Sequence, residues 1–147
     1  MTHARQQIRE RVATTLTSLS TTGTNVFQSR VYPMESAGLP GLIIYTTSES
    51  IDLEGVSTGR NLIRILDLVV EGYTKAASNT DDTADTIAKE VETALMGDVT
   101  INGLAKDCIL SGTEIELRSE SEQPLAVVKL TFNVVYITKD DTPGTAL

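Results

Sequence analysis

Residues 125–138, LAVVKLTFNVVYIT, constrain the fold more than any other stretch. Ala126, Val128, Leu130, Phe132, Val134 and Tyr136 share one parity, while the other mixes Leu125, Val127, Val135 and Ile137 with Lys129, Thr131 and Asn133. Successive side chains of a pleated strand leave opposite faces, so alternation in β-branched and aromatic residues implies a strand. At about 3.3 Å per residue the stretch reaches roughly 45 Å. A strand of that length at a sheet edge would expose a long row of unpaired amides. The expectation is an interior strand with one buried face. Its mixed face meets a helix, a neighbouring subunit or water along different parts of its length.

The 147 residues suffice for one domain with a real core, placed at 1–139, followed by a flexible C-terminal tail, 140–147. The chain has no Trp, and only 4% of it is aromatic, which argues against stacking platforms for bases or sugars. A net charge of −8 argues against binding nucleic acid through its phosphates. Cys108 stands alone, so no intrachain disulfide is implied. No apolar run approaches the roughly twenty residues of a membrane span, and the expectation is a soluble chain made in a cytoplasm. The charge is polarised. Residues 1–34 carry four arginines against one glutamate, whereas residues 35–147 carry 8 bases against 19 acids. One reading is a solvated helix face; the other is a basic end of one copy meeting an acidic surface of another.

Along the chain, residues 2–19 predict an amphipathic helix with Ala4, Ile8, Val12, Leu16 and Leu19 as its stripe, Thr2 as N-cap, and Gly23 in the turn that ends it. A strand follows at 26–32, a loop at 33–40 and a central strand at 42–47, apolar on both parities. Residues 48–59, SESIDLEGVSTG, break the alternation and predict a mobile hairpin loop. The next strand spans 61–73, with Arg64 interrupting its apolar face. A linker covers 74–79, and a second helix covers 80–96 with Ala84, Ile87, Val91 and Leu95 inward, Asp81, Asp82 and Asp85 at its start and Gly97 after its end. VTINGL carries an Asn-Gly turn, 108–118 is a strand with Ile109, Ile115 and Leu117 on one parity, and 119–124 is a polar turn into the last strand. Grouped strands and helices, with connections between the first three strands that can be hairpins, imply an α+β domain: one mainly antiparallel sheet of about five strands, with two main helices packed on one face.

Catalytic chemistry finds little support. His3 is the only histidine, and Cys108 on an apolar strand reads as core. No His or Cys pair has metal-ligand spacing, and the Asp81, Asp82, Asp85 cluster is explained by helix capping. Residues 55–60, GVSTGR, lack the ending of a phosphate loop. The expectation is no enzyme, no cofactor and no metal.

The order of features resembles the tail terminator proteins of long-tailed bacteriophages, the lambda minor tail protein U-like family. The likeness is carried by His3-Ala-Arg5-Gln-Gln-Ile8-Arg9-Glu10 in the first helix. It continues with Gln28-Ser-Arg30-Val-Tyr32-Pro33 before Leu39-Pro40-Gly-Leu-Ile-Ile-Tyr45, the acidic segment, the strand at 62–71, the helix at 81–95, and Val134-Val-Tyr136 near the end. The chain after Tyr136 is longer than the family minimum. The resemblance implies a virion protein at the head-proximal end of the tail, a hexameric ring that caps the tail tube and stops its growth. Its implied partners are other copies of itself, the tail-tube protein and a head-completion protein, with DNA passing through an acidic channel. Candidate contacts are Arg5, Arg9 and Arg11 on one side, and Glu49, Ile51, Asp52, Leu53 and Glu54 on the other. The alternatives are a tail-tube or neck protein of related build and, more remotely, a small hydrolase or ligand-binding domain.

Overall fold

The computed structural model describes residues 2–28, 39–55, 59–75, 80–118 and 125–147. Two helices, α1 (Ala4–Leu16) and α2 (Thr80–Met96), accompany five strands: β1 (Val26–Phe27), β2 (Gly41–Glu54), β3 (Asn61–Lys75), β4 (Asp107–Arg118) and β5 (Leu125–Lys139). The strand order is β1-β2-β3-β5-β4. All pairs are antiparallel except β1 with β2. The domain is α+β. The expected ends of the first strand, the 33–40 loop, the linker and the 119–124 turn lie wholly or partly outside the described residues.

β5 lies between β3 and β4, paired along its whole length with β3. Its even-numbered residues from Ala126 to Thr138 are all buried. Those from Val128 to Tyr136 join Leu42 and Ile44 of β2, and Leu66, Leu68 and Val70 of β3, beneath both helices. The α1 stripe Ala4, Ile8, Val12, Leu16 and the α2 stripe Ala84, Ile87, Val91, Leu95 complete this core. Both follow from apolar residues recurring every three or four positions. Gly72 is where α2 sits closest to the sheet: a Cβ there would lie 2.6 Å from Ile87 Cγ2 and 3.1 Å from Val128 Cγ1. The opposite face carries a smaller cluster of Ile43, Tyr73, Leu125 and Val127.

Four sequence expectations need correction. First, α1 begins at Ala4 and its N-cap is His3, not Thr2: His3 Nδ1 accepts from the Arg5 amide at 3.0 Å. Second, the link from β1 to β2 is not a hairpin, because Val26 and Phe27 run parallel to Leu42 and Ile43. Third, residues 48–54 are not a loop. β2 continues through them, paired with β3 from Ser48↔Asp67 to Glu54↔Asn61. The alternation breaks because of a register shift between Thr46 and Ser48, where one extra residue reverses the inward and outward sides. Fourth, a similar shift between Leu110 and Gly112 splits β4. Ile109 opposes Asn133 on the sheet's open face, while Ile115 opposes Val128 on the helix face.

The turn after α2 does hold the expected Asn-Gly: Ile101, Asn102 and Gly103 all have positive φ. The Asp98 carboxylate accepts from the Thr100 hydroxyl and from the amides of Thr100 and Asn102. These bonds, the Thr100 hydroxyl's first, hold Asp98 below the usual carboxylate range. The C-terminal residues are hydrogen-bonded to the body. The Ala4 amide donates to Pro143 O, Gln7 Nε2 to Gly144 O, and the Leu147 amide to Ile137 O, each at 2.8 Å.

Candidate interaction site

The shift in β2 has a chemical consequence. With the sides reversed, Glu49, Ile51 and Leu53 turn to the helix face, opposite Leu66, Arg64 and Leu62. Arg64 in turn opposes Tyr136 of β5. Four polar side chains of the sheet, those of Glu49, Arg64, Tyr136 and Thr138, therefore converge with Arg5 at the start of α1. Glu49 Oε2 accepts from Arg5 Nη1 and from Arg64 Nη1, each at 3.0 Å. Glu49 Oε1 accepts from the Tyr136 hydroxyl. Arg64 Nε donates to Thr138 Oγ1 at 3.0 Å, and its guanidinium carbon lies 5.9 Å from the Tyr136 ring centroid. The side chains of Glu49 and Arg64 are only 7% and 8% exposed, whereas that of Arg5 is 39% exposed. Removing such ions from water costs several kcal/mol each unless hydrogen bonds replace the water. Here the carboxylate accepts three donors.

The cluster perturbs its neighbours. Burial first, then the hydrogen bond to Glu49 and its negative charge, push the Tyr136 phenol well above its ordinary range. Burial, followed by the positive charges of Arg5 and Arg64, lowers His3, with Glu49 opposing. A neutral His3 suits its cap, since Nδ1 must be unprotonated to accept from the Arg5 amide.

Above the cluster lies an open cleft of about 460 Å³, lined by His3, Arg5, residues 46–49, Ile51, Arg64 and Leu66. The structure thus brings Arg5 and Glu49 together within one chain. Arg9 and Arg11 do not join them. Arg9 Nε lies 3.4 Å from Gln28 Oε1, and Arg11 is exposed. Ile51, Asp52 and Leu53 are exposed on β2, while the Glu54 side chain lies outside the described residues. Sequence reasoning did not foresee the roles of Tyr136, Thr138 and His3. The available signal was the renewed alternation of Glu49, Ile51 and Leu53 after the break at Thr47.

Two exposed apolar patches remain. Ile51 and Leu53 lie at one end of the β2 edge; Ile115 and Leu117 lie at the other end of the β4 edge. Beyond Ile43, β2 has no second neighbour among the described residues, and β4 pairs only with β5. Burial pushes the Cys108 thiol up to about 11, with the Asp107 charge adding to the effect. Among the described residues no group of three His, Cys, Asp or Glu is placed to hold a metal ion.

A chain from the solved virion of a native gene transfer agent particle is 19% identical over 90% of each chain, with a TM-score of 0.35. No curated protein matches. The description phage minor tail protein U fits residues 3–136, from the α1 cap through Tyr136 of the buried cluster. The chain belongs to that family, and so to the structural proteins of phage tails.

Proposed function

We propose that this protein is the tail terminator: a ring, six copies round, that caps the tail tube, stops its polymerisation and offers the head-proximal surface to a head-completion protein. The observation that carries this reading is the placement of the two exposed apolar patches. Ile51 and Leu53 stand at one corner of the sheet and Ile115 and Leu117 at the diagonal corner, with β3 and β5 between them. One copy cannot bring them together. Two copies can, patch against different patch, and head-to-tail contacts of this kind generate rings when the rotation closes. The sheet's other face adds acids to the reading: Asp52, Asp67, Asp107 and Glu114 share it, with Lys129 opposite Glu114. Lining a channel, these carboxylates would repel DNA phosphates and let the duplex slide.

Negative-stain imaging of the purified protein tests the assignment. Discrete rings with six-fold averages are expected. Tubes of indefinite length would assign the chain to the tube instead, and a monomer at every concentration would remove the ring.

A further inference from the structure

The cleft beneath α1 carries an unbalanced charge. Two guanidinium groups, those of Arg5 and Arg64, face one carboxylate, that of Glu49. The carboxylate's two oxygens already accept three donors. The side-chain hydrogen bonds of Arg5 run through Nη1 alone, and those of Arg64 through Nε and Nη1. Nη2 of each arginine is left without a protein acceptor among the described residues, and both residues line the cleft. Arg64 is 93% buried as a residue, and its spare donor is not among the sealed, unpartnered polar atoms, so what the side chain still exposes opens on the cleft. The first turn of α1, the positive end of its dipole, stands at the same place. A guanidinium pair with free N–H groups matches the fork of a carboxylate. A positive cleft is also out of character with a chain whose net charge is −8, which makes another copy of that chain an electrostatically suitable partner.

We infer that the cleft is a carboxylate-binding site, filled on assembly by an acidic side chain of a neighbouring copy that Arg5 and Arg64 hold together. This rests on the ring reading above. Arg5 is the bridge between the internal ion pair and the neighbour, and Ile51 supplies the apolar lip beside it.

Two variants test the inference alongside the wild type, with sedimentation velocity reading assembly and circular dichroism reading fold. Arg5→Gln removes the half-exposed charge and keeps a hydrogen-bonding side chain. Its rings should need at least about tenfold more protein to form. Thr47→Glu places a carboxylate of the chain's own at the cleft wall. It should fill the site from within, block assembly and leave the subunit as stable as before or more so. Both variants should remain folded, because both positions reach solvent. Wild-type rings together with rings of unchanged affinity from both variants would overturn the cleft assignment and leave the terminator reading standing. Absence of rings from the wild type would overturn both.

Discussion

At the scale of single residues, Glu49 holds the buried polar cluster together. It neutralises one of two buried or half-buried arginines and accepts the Tyr136 hydroxyl in the same few ångströms. Removing one partner of a buried ion pair leaves the others unpaired in a poor solvent, which typically costs about 3–5 kcal/mol. Glu49→Ala should therefore lower unfolding free energy by about 3 kcal/mol in urea titration. Loss of under about 1 kcal/mol would show that water, not Glu49, satisfies Arg64. His3 makes a second prediction, and its sign is set by the direction of its shift. The folded-state value is lowered, so His3 binds a proton more readily in the unfolded chain. Its stabilising contribution is complete above about pH 6.5 and falls away as pH drops through the lowered folded value. His3→Asn keeps a capping acceptor and removes the titration. Urea midpoints measured from neutral to mildly acidic pH should fall less steeply in His3→Asn than in the wild type; parallel slopes would assign the acid sensitivity to other groups.

At the scale of elements, the contact between α2 and the sheet depends on a missing side chain. A methyl group at Gly72 would overlap Ile87 and crowd Val128. Gly72→Ala should cost about 1–3 kcal/mol, as overpacking does. Gly72→Ala combined with Ile87→Leu should recover part of that loss in thermal melts, because leucine lacks the Cγ2 branch that meets the new methyl group. The elements themselves were legible where periodicity ran unbroken. α2 and its inward stripe, the buried even face of β5 and the doubly apolar start of β2 all follow from spacing alone. What spacing could not supply was the slip. One extra residue at Thr47 makes a strand imitate a loop, and one near Ser111 sends Ile109 and Ile115 to opposite faces although their numbers share a parity. The candidate site was hidden for the same reason. Arg5, Glu49 and Arg64 each stood out as charged residues. That they meet inside one subunit depends on a register reversal and on β5 delivering Tyr136 from the far end of the chain.

At the scale of the molecule, the exposed corners separate folding from assembly. Leu53 is 63% exposed and Leu117 65% exposed, so neither contributes much to the isolated subunit. Leu53→Lys should change stability by no more than about 0.5 kcal/mol, as surface substitutions usually do. In the ring, the same lysine would bury a charge against an apolar neighbour. The expected result is a folded Leu53→Lys monomer that yields no rings in the microscope, while rings like the wild type's would move the subunit contact away from this corner.

The last residues of the chain have a consequence for handling the protein. Pro143 receives the amide that opens α1, and Leu147 reaches back to β5. Residues 143–147 are thus fastened to the start of α1 and to β5 like the two halves of a clasp, beside Arg5. A cut ahead of Pro143 would open that clasp and disturb an arginine remote from it in the sequence.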